Sequence, residues 1–112
     1  MKVLDLGYNE ISDINILEKF NFKELKRLYL GANNISDIKV VEKVKFQKLE
    51  ELDLRENKIS DINLLEKFNF KELKKLYLEY NNILNINVLE KVKFQKLEEL
   101  DLVIMKCQIL IY

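Results

Sequence analysis

The chain contains no histidine, threonine, proline or tryptophan, only two glycines and one cysteine, and no net charge. Each shortage removes a class of function. Without histidine, the Ser-His and Cys-His nucleophile pairs cannot be assembled, and zinc sites built from Cys and His clusters go with them. Gly7 and Gly31 are too few for a glycine-rich phosphate loop. No catalytic, cofactor or metal set emerges. The 19 basic residues are balanced by 19 acidic ones, so the basic excess of a nucleic-acid binder is missing and no nucleic-acid partner is expected. No apolar run reaches the roughly 18 residues of a membrane span. Charges from Lys2 onward interrupt any secretory apolar segment, so neither a membrane partner nor export is expected. Cys107 has no second cysteine to pair with, which fits a reducing compartment and an intracellular location.

What remains is the composition of one small globular domain: 112 residues, 48% apolar and 34% charged. Its dominant feature is a period. Asn9, Asn33, Asn57 and Asn81 recur every 24 residues, each in the frame Leu-x-x-Leu-x-Leu-x-x-Asn-x-Ile-x-x-Ile, which tolerates Met1 at its first position. The serines Ser12, Ser36 and Ser60 also share one position of that frame. In the second copy, Leu28-Tyr29-Leu30 reads as a short strand with its leucines inward. Ile35, Ile38 and Val41 follow at three-residue spacing, which predicts a short α or 3-10 turn on the opposite side. Ser36, before Asp37, stands where an N-cap is expected. Phe22, Phe46, Phe70 and Phe94 form a second row that reads as a packing spine. The asparagines read as a buried ladder, each pairing with backbone groups of its own coil and the next.

This pattern resembles the leucine-rich repeat, and its Ile-x-x-Ile segment is most similar to the internalin and phosphatase-regulator type. The resemblance covers nearly the whole chain. It implies an α/β fold: a right-handed solenoid, or horseshoe, with a concave parallel sheet and short α or 3-10 turns on the convex side. It also implies a protein partner and not an enzyme. Stacking makes physical sense, because one coil cannot bury its own apolar edge. Residues 1–102 are expected to form the solenoid, with four repeats and the start of a fifth, and residues 103–112 a non-repeat apolar tail.

The copy unit is 48 residues. Residues 42–54 and 90–102 are identical, while 18–30 and 66–78 differ only at Arg27 versus Lys75. The alternation paints the outward sheet face with Arg27, Glu51, Lys75 and Glu99 in one row and Asp5, Tyr29, Asp53, Tyr77 and Asp101 in the next. One reading is a self-neutralising charge ladder. The other is a binding stripe. In it Tyr29 and Tyr77, with Tyr8 and Tyr80 at the edge, are anchors; Arg27, Lys75 and Arg55 orient a partner among Glu51, Asp53 and Asp101. Near-identical copies favour a repetitive or multivalent partner over a unique epitope. The carboxylates Glu50, Glu51 and Asp53 share a face but sit among lysines, which does not suggest a catalytic pair.

The frame stops after Leu102, with Met105 where the next asparagine is due. With suitable synonymous codons, one added nucleotide converts the tail VIMKCQILIY into GYNEMSDINI, which differs from residues 7–16 at a single position. A lost reading frame is therefore one expectation for the tail, and a native strand that closes the solenoid is the other. A solenoid with uncapped ends is expected to self-associate through them. Two functional readings follow: an interaction module belonging to or derived from a larger repeat protein, or a truncated fragment without independent activity.

Overall fold

The computed structural model describes residues 1–44, 46–63, 65, 71–83 and 99–101, the last three by backbone alone. Five strands of three residues each form one parallel sheet: β1 (Val3–Asp5), β2 (Arg27–Tyr29), β3 (Glu51–Asp53), β4 (Lys75–Tyr77) and β5 (Glu99–Asp101). The spatial order is the sequence order, and the register advances by one repeat at every step: Leu4 faces Leu28, Leu28 faces Leu52, Leu52 faces Leu76 and Leu76 faces Leu100. This is the solenoid the period predicts.

Alternation decides which way each side chain goes. Leu28, Leu30, Leu52, Leu54, Leu76 and Leu78 are fully buried, and the residues between them turn outward. Opposite the strands, Ile35, Ile38, Ile59 and Ile62 close the core from the far side, and Leu25, Leu49 and Leu73 close it at the coil entrance. The first coil has no neighbour on one side. There Leu4, Leu6 and Ile11 are only partly buried, and Met1, Val3 and Ile16 are exposed.

The convex turns described are 3-10 helices at Asn15–Lys19 and Lys39–Glu42. Three residues per turn keep Ile38 and Val41 on one inward line, which matches the spacing in the sequence. The cap differs from the sequence expectation. Ser36 does not cap the second turn; its N-cap, Ile38, makes no side-chain cap bond. Asp37 instead accepts the Lys39 N–H at 2.9 Å, and Asp13 and Asp61 treat Asn15 and Asn63 in the same way. A carboxylate two residues before the donor closes an Asx turn, a geometry the aspartate reaches more strongly than a serine hydroxyl does. In the fourth repeat Leu84 and Asn85 replace the Ser-Asp pair of the first three; they, Phe70, Phe94 and the tail at 103–112 lie outside the described residues.

The asparagine ladder is present. Asn57 donates to Leu30 O, Leu54 O and Arg55 O at 3.0–3.1 Å and accepts from Ile35 N at 3.0 Å. Asn33 and Asn81 repeat that set, reaching back to Leu6 O and Leu54 O. Asn33, Asn57 and Asn81 are buried, whereas Asn9, in the first coil, is exposed and its amide bonds only to Leu6 O and Gly7 O. The preceding residue is left-handed each time: Tyr8, Ala32, Glu56 and Tyr80 have φ between 54° and 61°. That kink aims the asparagine amide back into its own turn. Beside the ladder, Phe22 and Phe46 stack at 5.8 Å between centroids, so the described part of the phenylalanine row packs as the spine expected.

Candidate functional site: the concave sheet

The outward side chains of β1 to β4 form two rows, because parallel strands in register place equivalent positions side by side. In the first row Arg27 is paired with Glu51, and Glu51 with Lys75. Arg27 Nε lies 3.7 Å from Glu51 Oε2, and the phenol of Tyr29 donates to the same oxygen. The hydrogen bond to Glu51 and partial burial hold the Tyr29 hydroxyl above its ordinary pKa, because both favour the protonated phenol. The Arg27 side chain is 57% exposed, so its ion pair contributes only about 0.2–1 kcal/mol. Lys75 is exposed.

In the second row Asp5 faces Tyr29, and Asp53 lies between Tyr29 and Tyr77. Asp53 stands in an outward position yet is only 6% exposed. Arg55 covers it: Nη2 lies 2.7 Å from Oδ2, Nε lies 3.0 Å from Oδ1, and the Arg55 N–H also donates to Oδ1. The same guanidinium sits 4.8 Å above the Tyr77 ring. Its hydrogen bonds to Asp53 outweigh the effect of burial and raise the Arg55 pKa further. Asp53 is therefore a support for Arg55 and not a free contact.

The rows end in a cleft of about 400 Å³ where the strands run into the asparagine turns. Tyr8 and Tyr80 stand at its rim, 86% and 45% exposed, placed there by their left-handed backbone. Asp5, Gly7, Tyr29 and Gly31 line one end, and Arg55 and Glu79 lie toward the other. Thus Tyr8, Tyr29, Asp53, Arg55 and Tyr80 come together around the cleft, while Arg27, Glu51, Lys75 and Tyr77 lie along the strands. Asp101 is in β5 in register with Tyr77, and its side chain lies outside the description. The sequence reading did not single out Gly7, Gly31 and Glu79. The signal was present in the repeat alignment, where one position holds Gly7, Gly31, Arg55 and Glu79 in turn.

A model described as leucine rich repeat matches residues 23–83, and a second, for two copies of leucine rich repeats, matches residues 1–43. The chain belongs to the leucine-rich-repeat family. Among solved structures it is similar to an internalin, inlF, from Listeria monocytogenes strain 4b F2365, with 30% identity and a TM-score of 0.75. The match covers 96% of this chain and 29% of that internalin. No curated protein sequence matches the chain. The internalin type read from the Ile-x-x-Ile segment is thereby supported, and with it a leucine-rich-repeat interaction module of a kind that is typically non-enzymatic. Among the described residues, no helix is long and apolar enough to cross a membrane, and no cluster of His, Cys, Asp or Glu could hold a metal ion.

Proposed function

We propose that this leucine-rich-repeat chain binds a protein partner through its concave sheet, using Tyr8, Arg27, Tyr29, Glu51, Arg55, Lys75, Tyr77, Tyr80 and Asp101, with Asp53 holding Arg55 in place. The observation that carries the reading is the tyrosine row. Tyr29 and Tyr77 stand partly exposed on β2 and β4, with Arg27 and Lys75 exposed beside them on the same strands. A tyrosine ring offers a large contact area at low entropy cost, and tyrosine and arginine dominate interface energetics. The 48-residue recurrence of this set favours a partner that is itself repetitive. Photo-crosslinking tests the face. A crosslinker at Tyr29 or Lys75 should capture a partner from cells of origin, and one at Ser36 on the convex side should not. Equal capture from both positions would sink the proposal.

Self-association belongs to the same reading. β1 pairs with β2 alone, and Met1 and Val3 at that strand and Ile16 in the convex turn of the same coil are exposed. Light scattering of the 112-residue chain should show mass rising with concentration. Val3→Lys should suppress that rise; a concentration-independent monomer would contradict it.

A further inference from the structure

The two 48-residue units differ at one telling place. In the second, Asp53 and Tyr77 face each other across β3 and β4, and Arg55 fills the space they define. Its guanidinium is bound through Nε and Nη2 to the carboxylate and lies 4.8 Å over the ring. Forty-eight residues earlier, Asp5 and Tyr29 face each other across β1 and β2 in the same register. The residue equivalent to Arg55 is Gly7, which has no side chain to place there. The backbone is otherwise alike: Asp5 Oδ1 accepts the Gly7 N–H at 3.0 Å, as Asp53 Oδ1 accepts that of Arg55 at 3.0 Å.

Gly7 is not required for conformation, because its φ is not positive. Its effect is to leave room. The cleft of about 400 Å³ opens over Asp5, Gly7, Tyr29 and Gly31, at the place the Arg55 side chain fills one unit later. Four carboxylates and a single cation line it, and that cation, Arg55, is already bound by Asp53. The geometry points to a receptor site for an arginine side chain of the partner: the Asp5 carboxylate takes the guanidinium in a two-point bond, and the Tyr29 ring takes its face. The chain itself shows, at Arg55, the pose the incoming arginine adopts.

This inference rests on the concave face being the binding face, and it narrows the partner to an extended segment that presents arginine. The probe is the capped tripeptide Ala-Arg-Ala, titrated into the 112-residue protein and followed by NMR at the Tyr29 ring. Saturable binding with a Tyr29 shift is expected. The citrulline tripeptide, equal in shape but uncharged, should bind at least about tenfold more weakly, and the lysine tripeptide should fall between them. Gly7→Arg should supply the guanidinium internally and abolish peptide binding while keeping the amide fingerprint of the fold. A Cβ at Gly7 would lie 3.3 Å from Asp5 Oδ1 and from Gly31 O, tight contacts in a backbone that already carries Arg55 at the equivalent position. Asp5→Asn, at an exposed side chain, gives the same readout without adding bulk. Absence of saturable binding, equal affinity for the citrulline peptide, or undiminished binding by Asp5→Asn overturns the inference. The two ideas fail separately. If Lys75→Ala and Tyr77→Ala lose the partner but Asp5→Asn binds the peptide normally, the face stands and the arginine site falls. If the peptide results hold but capture ignores the sheet, the site stands and the interaction face falls.

Discussion

Replacing Asn57 by alanine removes its hydrogen bonds to Ile35 N, Leu30 O, Leu54 O and Arg55 O together, inside a turn that excludes water. Unpaired buried backbone groups cost about 1–3 kcal/mol each, so Asn57→Ala should lower the unfolding free energy by at least about 3 kcal/mol in a urea titration. Asn9→Ala should cost about 1 kcal/mol, because the Asn9 side chain is exposed and its amide bonds only within its own coil, while its backbone N–H keeps its bond to Asn33 Oδ1. One residue earlier, Glu56 holds a φ of 54°, a conformation that penalises a side chain. Glu56→Gly should therefore raise stability by about 1 kcal/mol in the same assay, the reverse of the usual effect of glycine. Tyr29 supplies a pH test. Its folded pKa is raised by the Glu51 hydrogen bond, so its stabilising effect is full below the unfolded phenol value and fades as pH rises through the folded one. NMR titration of the Tyr29 ring carbon should show ionisation at higher pH than in Glu51→Gln. The asparagines were legible from spacing alone. The left-handed residues before them were not, since tyrosine, alanine and glutamate carry no turn signature. Nor was the burial of Asp53, which depends on Arg55 folding back over it.

At the scale of elements, the convex turns separate what pattern reveals from what geometry adds. Apolar spacing of three announced a tight turn but did not choose between its possible caps. The structure has no side-chain cap there and closes an Asx turn at Asp37 instead, so Asp37→Ala should cost about 0.5–1 kcal/mol in thermal or urea unfolding. Ser36→Ala should change stability by less than about 0.5 kcal/mol. The sequence erred on Ser36 because both residues are N-cap formers, and only the backbone path decides which oxygen meets the Lys39 N–H. Strand positions were easier to read. Leucines flanking one outward residue leave a single possible register once the 24-residue period is imposed, and the structure keeps that register at every step.

For the whole molecule, stability is a sum over neighbouring coils, so position along the stack matters as much as residue type. Leu52 is fully buried between coils on both sides, and Leu4 is partly exposed in the first coil. Leu52→Ala should cost about 2–5 kcal/mol, and Leu4→Ala clearly less. Amide exchange should correspondingly be slower at Leu30 and Leu54 than at Leu6. Periodicity made this architecture legible almost in full. The cleft stayed hidden because it arises from a residue type skipped at one repeat position, a difference that has meaning only once the coils are superposed. The exact copying of residues 42–54 in residues 90–102 also bears on how the chain finds its shape. β2 meets in β3 and β5 two edges of the same chemistry, and nothing local tells it which to accept. Choosing β5 would strand the intervening coils as an extruded loop, yet loop closure distinguishes the two choices by only about 0.6 kcal/mol per doubling of length. Correct assembly is therefore an ordering problem: the nearest coil must arrive before its duplicate. Synthesis from the N-terminus imposes that order, which refolding from denaturant removes.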